Sequence, residues 1–227
     1  AKLAAEKTAS GIFRLCERRC DEFNAVHGTT ALYRLAKSGC SPKTLEQGRL
    51  RRLLASLAAH ADRGQLTPRS AATAAWSLAA LRCYDPSLCE SVSAASLAMI
   101  WEFGAQDISN TVWACARLRF WNQQLMEGLA PVASAAILEA GAGRSFRTQE
   151  LANISWSYAP FRLSIPRLLL PIASACVGAQ AAQFSTQQLA NLVWSFARLK
   201  MLQDCPAFWS AMTSEALCRI KEFSIPQ

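Results

Sequence analysis

The chain has 227 residues, a formal net charge of +8 and 52% apolar residues. That length can bury a sizeable core in one large domain or one repeat array, and the composition favours helix over disorder. No apolar run reaches the ~18 residues of a membrane span; the nearest, at 168–182, is short and holds Pro171, so a soluble protein is expected.

The charge is unevenly spread. Residues 1–52 carry 11 basic and 5 acidic side chains, and the remainder carry 13 and 11. A basic surface suits nucleic acid or another anionic partner without choosing between them. Nine cysteines, an odd number, are scattered along the chain. Cys16 and Cys20 share one helix face, no CxxC pair occurs, and no second ligand pair stands at zinc-site spacing. They read as small buried apolar residues in a reducing compartment. His27 and His60 are isolated and read as core or surface residues. The chain starts without Met and shows no secretory apolar region.

In chain order, residues 1–22 read as the second helix of a preceding, incomplete copy. From residue 23 onward the sequence repeats. The segment Leu189-Ala190-Asn191-Leu192-Val193-Trp194-Ser195-Phe196-Ala197-Arg198-Leu199 matches the one around Trp156 and the one around Trp113. Looser copies surround Trp76 and Tyr33. The five aromatics, Tyr33, Trp76, Trp113, Trp156 and Trp194, are spaced by 43, 37, 43 and 38 residues. A second apolar marker lies ten residues before each: Phe23, Leu66, Phe103, Phe146 and Phe184. The copies are therefore 23–65, 66–102, 103–145, 146–183 and 184–222, and 223–227 opens a further one.

Each copy predicts two helices. Ser185-Thr186-Gln187-Gln188 has the form of a capping box. Relative to the aromatic at position 0, apolar residues fall at −5, −4, −1, 0, +2, +3 and +5, a wide helical stripe. The aromatic is expected as a core plug between helices, with base stacking as the alternative. Ala at +3 (Ala36, Ala79, Ala116, Ala159 and Ala197) leaves room for a neighbouring helix. Pro42, Pro86, Pro166 and Pro206 sit near second-helix starts, where a missing N–H costs little. The second helices are expected at about 43–60, 85–101, 122–140, 164–181 and 206–222. No copy can bury its apolar face alone. The fold class is all-α, a right-handed superhelical solenoid of about five helix-turn-helix repeats of 37–43 residues and ten to eleven helices, with the first helices inside.

The polar first-helix positions point to function. Positions −7, −3, +1 and +4 step around one face. They hold Arg69, Thr73 and Ser77 in the second copy, and Gln106, Asn110 and Arg117 in the third. The fourth has Gln149, Asn153 and Ser157; the fifth has Gln187, Asn191, Ser195 and Arg198, with Gln188 beside them. Amides and hydroxyls match the donor and acceptor edges of unpaired bases, and stacked helical repeats can read single-stranded RNA one base per repeat. Positions −7 and −6 vary more and suit base selection. A structural inter-repeat bond is the other reading of Asn at −3. Arg82, Arg119, Arg162 and Lys200 at +6 are candidate phosphate contacts, or counter-charges to the helix dipole.

The pattern Leu-Ala-Asn-x-x-Trp-Ser/Ala-x-Ala-x-Leu resembles the octotricopeptide and heptatricopeptide repeats of organellar RNA-binding proteins, related to proteins with RAP or FAST-kinase-like regions. The resemblance covers 23–222 and is strongest at 103–118, 146–163 and 184–200. It implies stacked helix pairs, RNA binding through the first helices, and residence in a mitochondrion or plastid. The acidic-Trp signature of the octotricopeptide second helix is missing, with Phe208-Trp209 a faint echo, and no RAP-type region is present. Related proteins also serve as structural parts of organellar ribosomes.

Motifs for enzymes are lacking: no phosphate-binding Gly loop, GxSxG or HExxH occurs, and Gly141-Ala142-Gly143 follows no predicted strand. The expectation is a non-enzymatic binder of single-stranded or ribosomal RNA without cofactor, metal or membrane insertion, and with further ribonucleoprotein subunits as partners. It would act in RNA maturation, translation or ribosome architecture. The alternatives are a protein-interaction scaffold, or an adaptor in a larger membrane-bound organellar complex.

Overall fold

The computed structural model describes residues 8–39, 47–139 and 146–223. Eleven α-helices occur among them: α1 Ala9–Arg19, α2 Ala25–Lys37, α3 Gln47–Asp62, α4 Pro68–Ala80, α5 Pro86–Ala98, α6 Ala105–Leu118, α7 Gln123–Leu138, α8 Thr148–Tyr158, α9 Pro166–Ala175, α10 Thr186–Arg198 and α11 Pro206–Cys218. The even-numbered helices from α2 to α10 carry the repeat aromatic. Each packs on the next, and the odd-numbered helices form a second layer alongside them. No strand is present among the described residues, and the architecture is the expected helical solenoid. None of these helices is long and apolar enough to cross a membrane.

Local sequence sets the helix starts. Asn24 accepts from the His27 N–H at 2.9 Å, Asp85 from Leu88 at 2.9 Å and Asn122 from Leu125 at 3.0 Å. Each satisfies a backbone donor that has no partner inside its helix. Pro68, Pro86, Pro166 and Pro206 each open a helix. Ser185 and Gln188 form the reciprocal box that their sequence predicts.

Four second helices, α5, α7, α9 and α11, end earlier than the sequence pattern suggests, while α3 runs to Asp62. Three end in 3-10 turns: Ile100–Glu102, Gly178–Gln183 and Ile220–Glu222. The difference is largest for α9, expected at 164–181 and ending at Ala175. Beyond its end, Gly178 takes a φ of 70°, which the right-handed helix does not allow. The expected starts at Pro42 and residue 43, the end at 140, and Gly141-Ala142-Gly143 lie outside the described residues.

The core runs between the two layers. The marker ten residues before each ring is buried in four copies, at Leu66, Phe103, Phe146 and Phe184, and Phe23 packs against the core. Ala79, Ala116 and Ala159 are buried between neighbouring first helices, as their size requires, while Ala197 on the last first helix is exposed. Gly28 shows how close the layers come. A Cβ there would stand 2.9 Å from a Leu57 methyl of α3.

Candidate functional site

At about 100° per residue, positions −7, −3, 0 and +4 fall within about 60° of one another, opposite −5, −2, +2 and +5. The structure follows this division. In α10 the buried residues are Leu189, Leu192, Ser195 and Phe196, and Trp194 points the other way with 45% of its surface exposed. Tyr33 is 38% exposed, and Trp76, Trp113 and Trp156 are half-buried. The aromatic is therefore not the core plug that its apolar character suggested. It stands on the same face as the polar positions, three residues after one and four before the next.

The rings of the first three repeats line up. Tyr33 and Trp76 have centroids 5.6 Å apart, and Trp76 and Trp113 6.5 Å apart with planes inclined by 25°. The Lys37 ammonium lies 5.9 Å from the Tyr33 centroid and 5.2 Å from that of Trp76. Such a cation is attracted by the ring face. Lys37 occupies +4 in the first copy, and the sequence reading did not single it out. Spacing was the available signal, since +4 is basic again at Arg117 and Arg198.

An open groove of about 430 Å³ crosses four successive first helices here. Tyr33 and Lys37 enter it from α2, and Arg69, Thr73 and Trp76 from α4. Gln106 and Asn110 come from α6, and Gln149 from α8. No acidic side chain lines it. Asp107 lies at its edge, largely buried, with one carboxylate oxygen 3.6 Å from Arg69 Nε and no hydrogen bond to that oxygen.

The candidate side chains differ in what they already do. Arg69 donates to Gln106 Oε1 of the next repeat, so two successive −7 residues are joined. Gln187 donates to Asn191 Oδ1 at 3.0 Å within one helix. Thr73 returns its hydroxyl to the Arg69 carbonyl at 2.7 Å. Asn110, Asn153 and Asn191 are partly exposed on the face, and Gln149 is exposed on it. Arg198 spans a repeat boundary, donating to the Ala159 carbonyl at 3.2 Å with its guanidinium 5.7 Å from the Trp194 ring centroid. Arg117 is exposed.

Two positions differ from expectation. Position +1 is not on the surface: Ser77, Ser157 and Ser195 are fully buried. Each bonds back to the carbonyl at −3, on Thr73, Asn153 and Asn191. At about 100° from the ring, +1 turns toward the neighbouring helix. Position −6 is a capping position. The side chains of Ser70, Asp107, Glu150 and Gln188 accept the N–H of Thr67, Gly104, Arg147 and Ser185. Gln188 thus has a structural task that accounts for its place.

The +6 residues share one conformation. Arg82, Arg119, Arg162 and Lys200 have φ of 52°, 55°, 54° and 61°. Gly39, at +6 in the first copy, has a φ of 70°. In the last four copies the +6 N–H bonds the +3 carbonyl and the +7 N–H bonds the +2 carbonyl, as in Arg119 to Ala116 at 3.2 Å and Phe120 to Cys115 at 2.9 Å. These paired bonds close the helix end, and the left-handed residue is usually glycine. A residue with a side chain costs about 1–2 kcal/mol there. A cation beside the last carbonyls offsets only about 0.3–1 kcal/mol. All four side chains are exposed, and none has a hydrogen-bond or ion-pair partner among the described residues.

Among the described residues eight cysteines are free, six of them buried: Cys16, Cys20, Cys89, Cys115, Cys176 and Cys205. Burial pushes the Cys115 and Cys176 thiols up to about 12 and that of Cys89 to about 11. They are held as neutral thiols in the core. Among the described residues no three His, Cys, Asp or Glu side chains gather where a metal ion could bind. Neither a protein-family model nor a curated protein matches the chain.

Proposed function

We propose that this chain binds single-stranded RNA along the exposed face of its first helices. The observation that carries the reading is the groove across four repeats, which sets aromatic rings beside amides and cations and has no acid in its lining. Rings offer stacking surfaces that every base can use. Amides can bond base edges, and cations attract phosphate. Single-stranded RNA presents all three partners along one strand, whereas paired bases hide their faces in the helix stack.

The resemblance of the repeats to organellar RNA-binding proteins supports a place in the mitochondrion, with the plastid as the alternative. The role proposed is RNA maturation, translation, or RNA contact within an organellar ribosome. A protein-scaffold reading finds support in the exposed Leu202, Leu217 and Ile220 of the last repeat.

The test is titration of labelled single-stranded RNA against duplex DNA at several salt concentrations. RNA should bind more tightly, with affinity falling as salt rises. Absence of RNA affinity near physiological salt would remove the reading. Partner capture that resists ribonuclease would favour the scaffold instead.

A further inference from the structure

The four left-handed turns lie at the C-terminal ends of successive first helices, two residues beyond the +4 position of the groove face. Their side chains are exposed, and their backbone geometry is one that glycine would adopt at lower cost. Neither packing nor ion pairing within the described residues accounts for a long cation at each. What each of these turns presents is a charge, one in each of the last four repeats, whereas the first copy has Gly39 at this position.

The turns are also joined to one another. The Tyr84 ring of the second-copy turn lies 6.3 Å from Phe120 of the third. Trp121 of the third lies 5.0 Å from Phe161 of the fourth. Ser164 of the fourth donates to Met201 Sδ of the fifth at 3.6 Å. This chain of contacts links the turns that carry the cations and so sets the spacing of their backbones before any ligand arrives. Fixed positions reduce the ordering cost of binding.

We infer that Arg82, Arg119, Arg162 and Lys200 form a prearranged rail for the phosphates of a single strand whose bases lie in the neighbouring groove. The inference rests on the RNA reading above. It assigns strand positioning to the turns and base contact to the helix faces. Phosphate contacts fix register and carry no sequence information directly, so the rail should act equally on every sequence.

The experiment replaces all four together by glycine: Arg82→Gly, Arg119→Gly, Arg162→Gly and Lys200→Gly. Glycine suits the observed φ, so helicity should hold and the melting temperature should not fall. A second set, each cation replaced by Gln, removes charge while keeping a side chain and serves if the glycine set loses helicity. Affinity for single-stranded RNA is then measured from low to high salt. Each lost phosphate contact lowers the slope of log affinity against log salt by about 0.7, so the slope should fall by close to three. Preference among homopolymers should not change. An unchanged slope in a folded variant, with the parent protein binding RNA, overturns the rail alone. A parent protein that does not bind RNA overturns the rail together with the reading beneath it.

Discussion

Trp76 and Trp113 face each other across a repeat boundary, with ring centroids 6.5 Å apart and planes inclined by 25°. The two rings belong to α4 and α6 and leave part of their surface to solvent. Tyr33, Trp76 and Trp113 are already ring neighbours, so under the proposed RNA reading a base would stack on the outer side of this row and not between its members. Trp76 also meets Tyr33 and Lys37, which places it at the centre of the groove. Trp76→Ala should therefore weaken single-stranded RNA binding by about five- to 150-fold, since one aromatic–base stack contributes about 1–3 kcal/mol. Trp76→Phe should restore most of it. Fluorescence anisotropy with a labelled oligonucleotide gives the answer, and equal affinity for all three proteins would exclude a stacking role.

A different outcome is expected for the amides. Gln106, Asn110, Gln149 and Asn153 project from two successive first helices, and none is fully buried. Replacing the four by Ala removes donors and acceptors while raising helix propensity. Far-UV circular dichroism should be unchanged, while the ranking of homopolymer affinities should shift. A uniform loss across all homopolymers would show that these side chains hold the strand without selecting bases.

The contrast between ring and amide also shows which parts of the molecule the sequence made legible. Helix order and the marker at −10 were readable because Phe103, Phe146 and Phe184 meet the same core at the same repeat position. The ring's place is not legible from apolar character alone, because its angle on the helix decides which way it points. Its steps of three and four from Asn110 and Arg117 already put Trp113 on their face. Ser195 failed in the opposite sense. A hydroxyl that bonds the carbonyl four residues back satisfies itself, and a fully buried serine then looks polar only on paper. The left-handed turns were not legible, since the sequence shows Arg and Lys where the geometry suits glycine, and only φ reveals it.

Tyr158 tests the core independently of any ligand. Its ring is fully buried, and its hydroxyl donates to the Met126 carbonyl of α7 at 2.7 Å. Tyr158→Phe keeps the packing and removes one hydrogen bond between layers. The expected loss is about 1 kcal/mol, or about 2–4 °C in melting temperature for a chain of this size. RNA affinity should be unaffected, because the residue lies on the far side of α8 from the groove. A melting temperature equal to that of the parent would mean that the hydroxyl contributes nothing to joining the layers.

Alkaline pH should expose the buried thiols. Desolvation raises Cys115 and Cys176 from 9.0 to about 12, and desolvation is likewise the largest cause that lifts Cys89 to about 11. A raised folded-state value means that the native chain keeps protons which the unfolded chain releases first. The stabilisation is fully present below the ordinary thiol range and is lost as pH rises from about 9 toward 11–12. Melting temperature should thus be level between neutral pH and the ordinary thiol range, and should then fall steeply. Cys115→Ala together with Cys176→Ala should flatten that fall, at some cost in packing at neutral pH. Thermal melts of both proteins across this range decide it. Parallel curves of equal slope would show that these thiols do not set the alkaline limit.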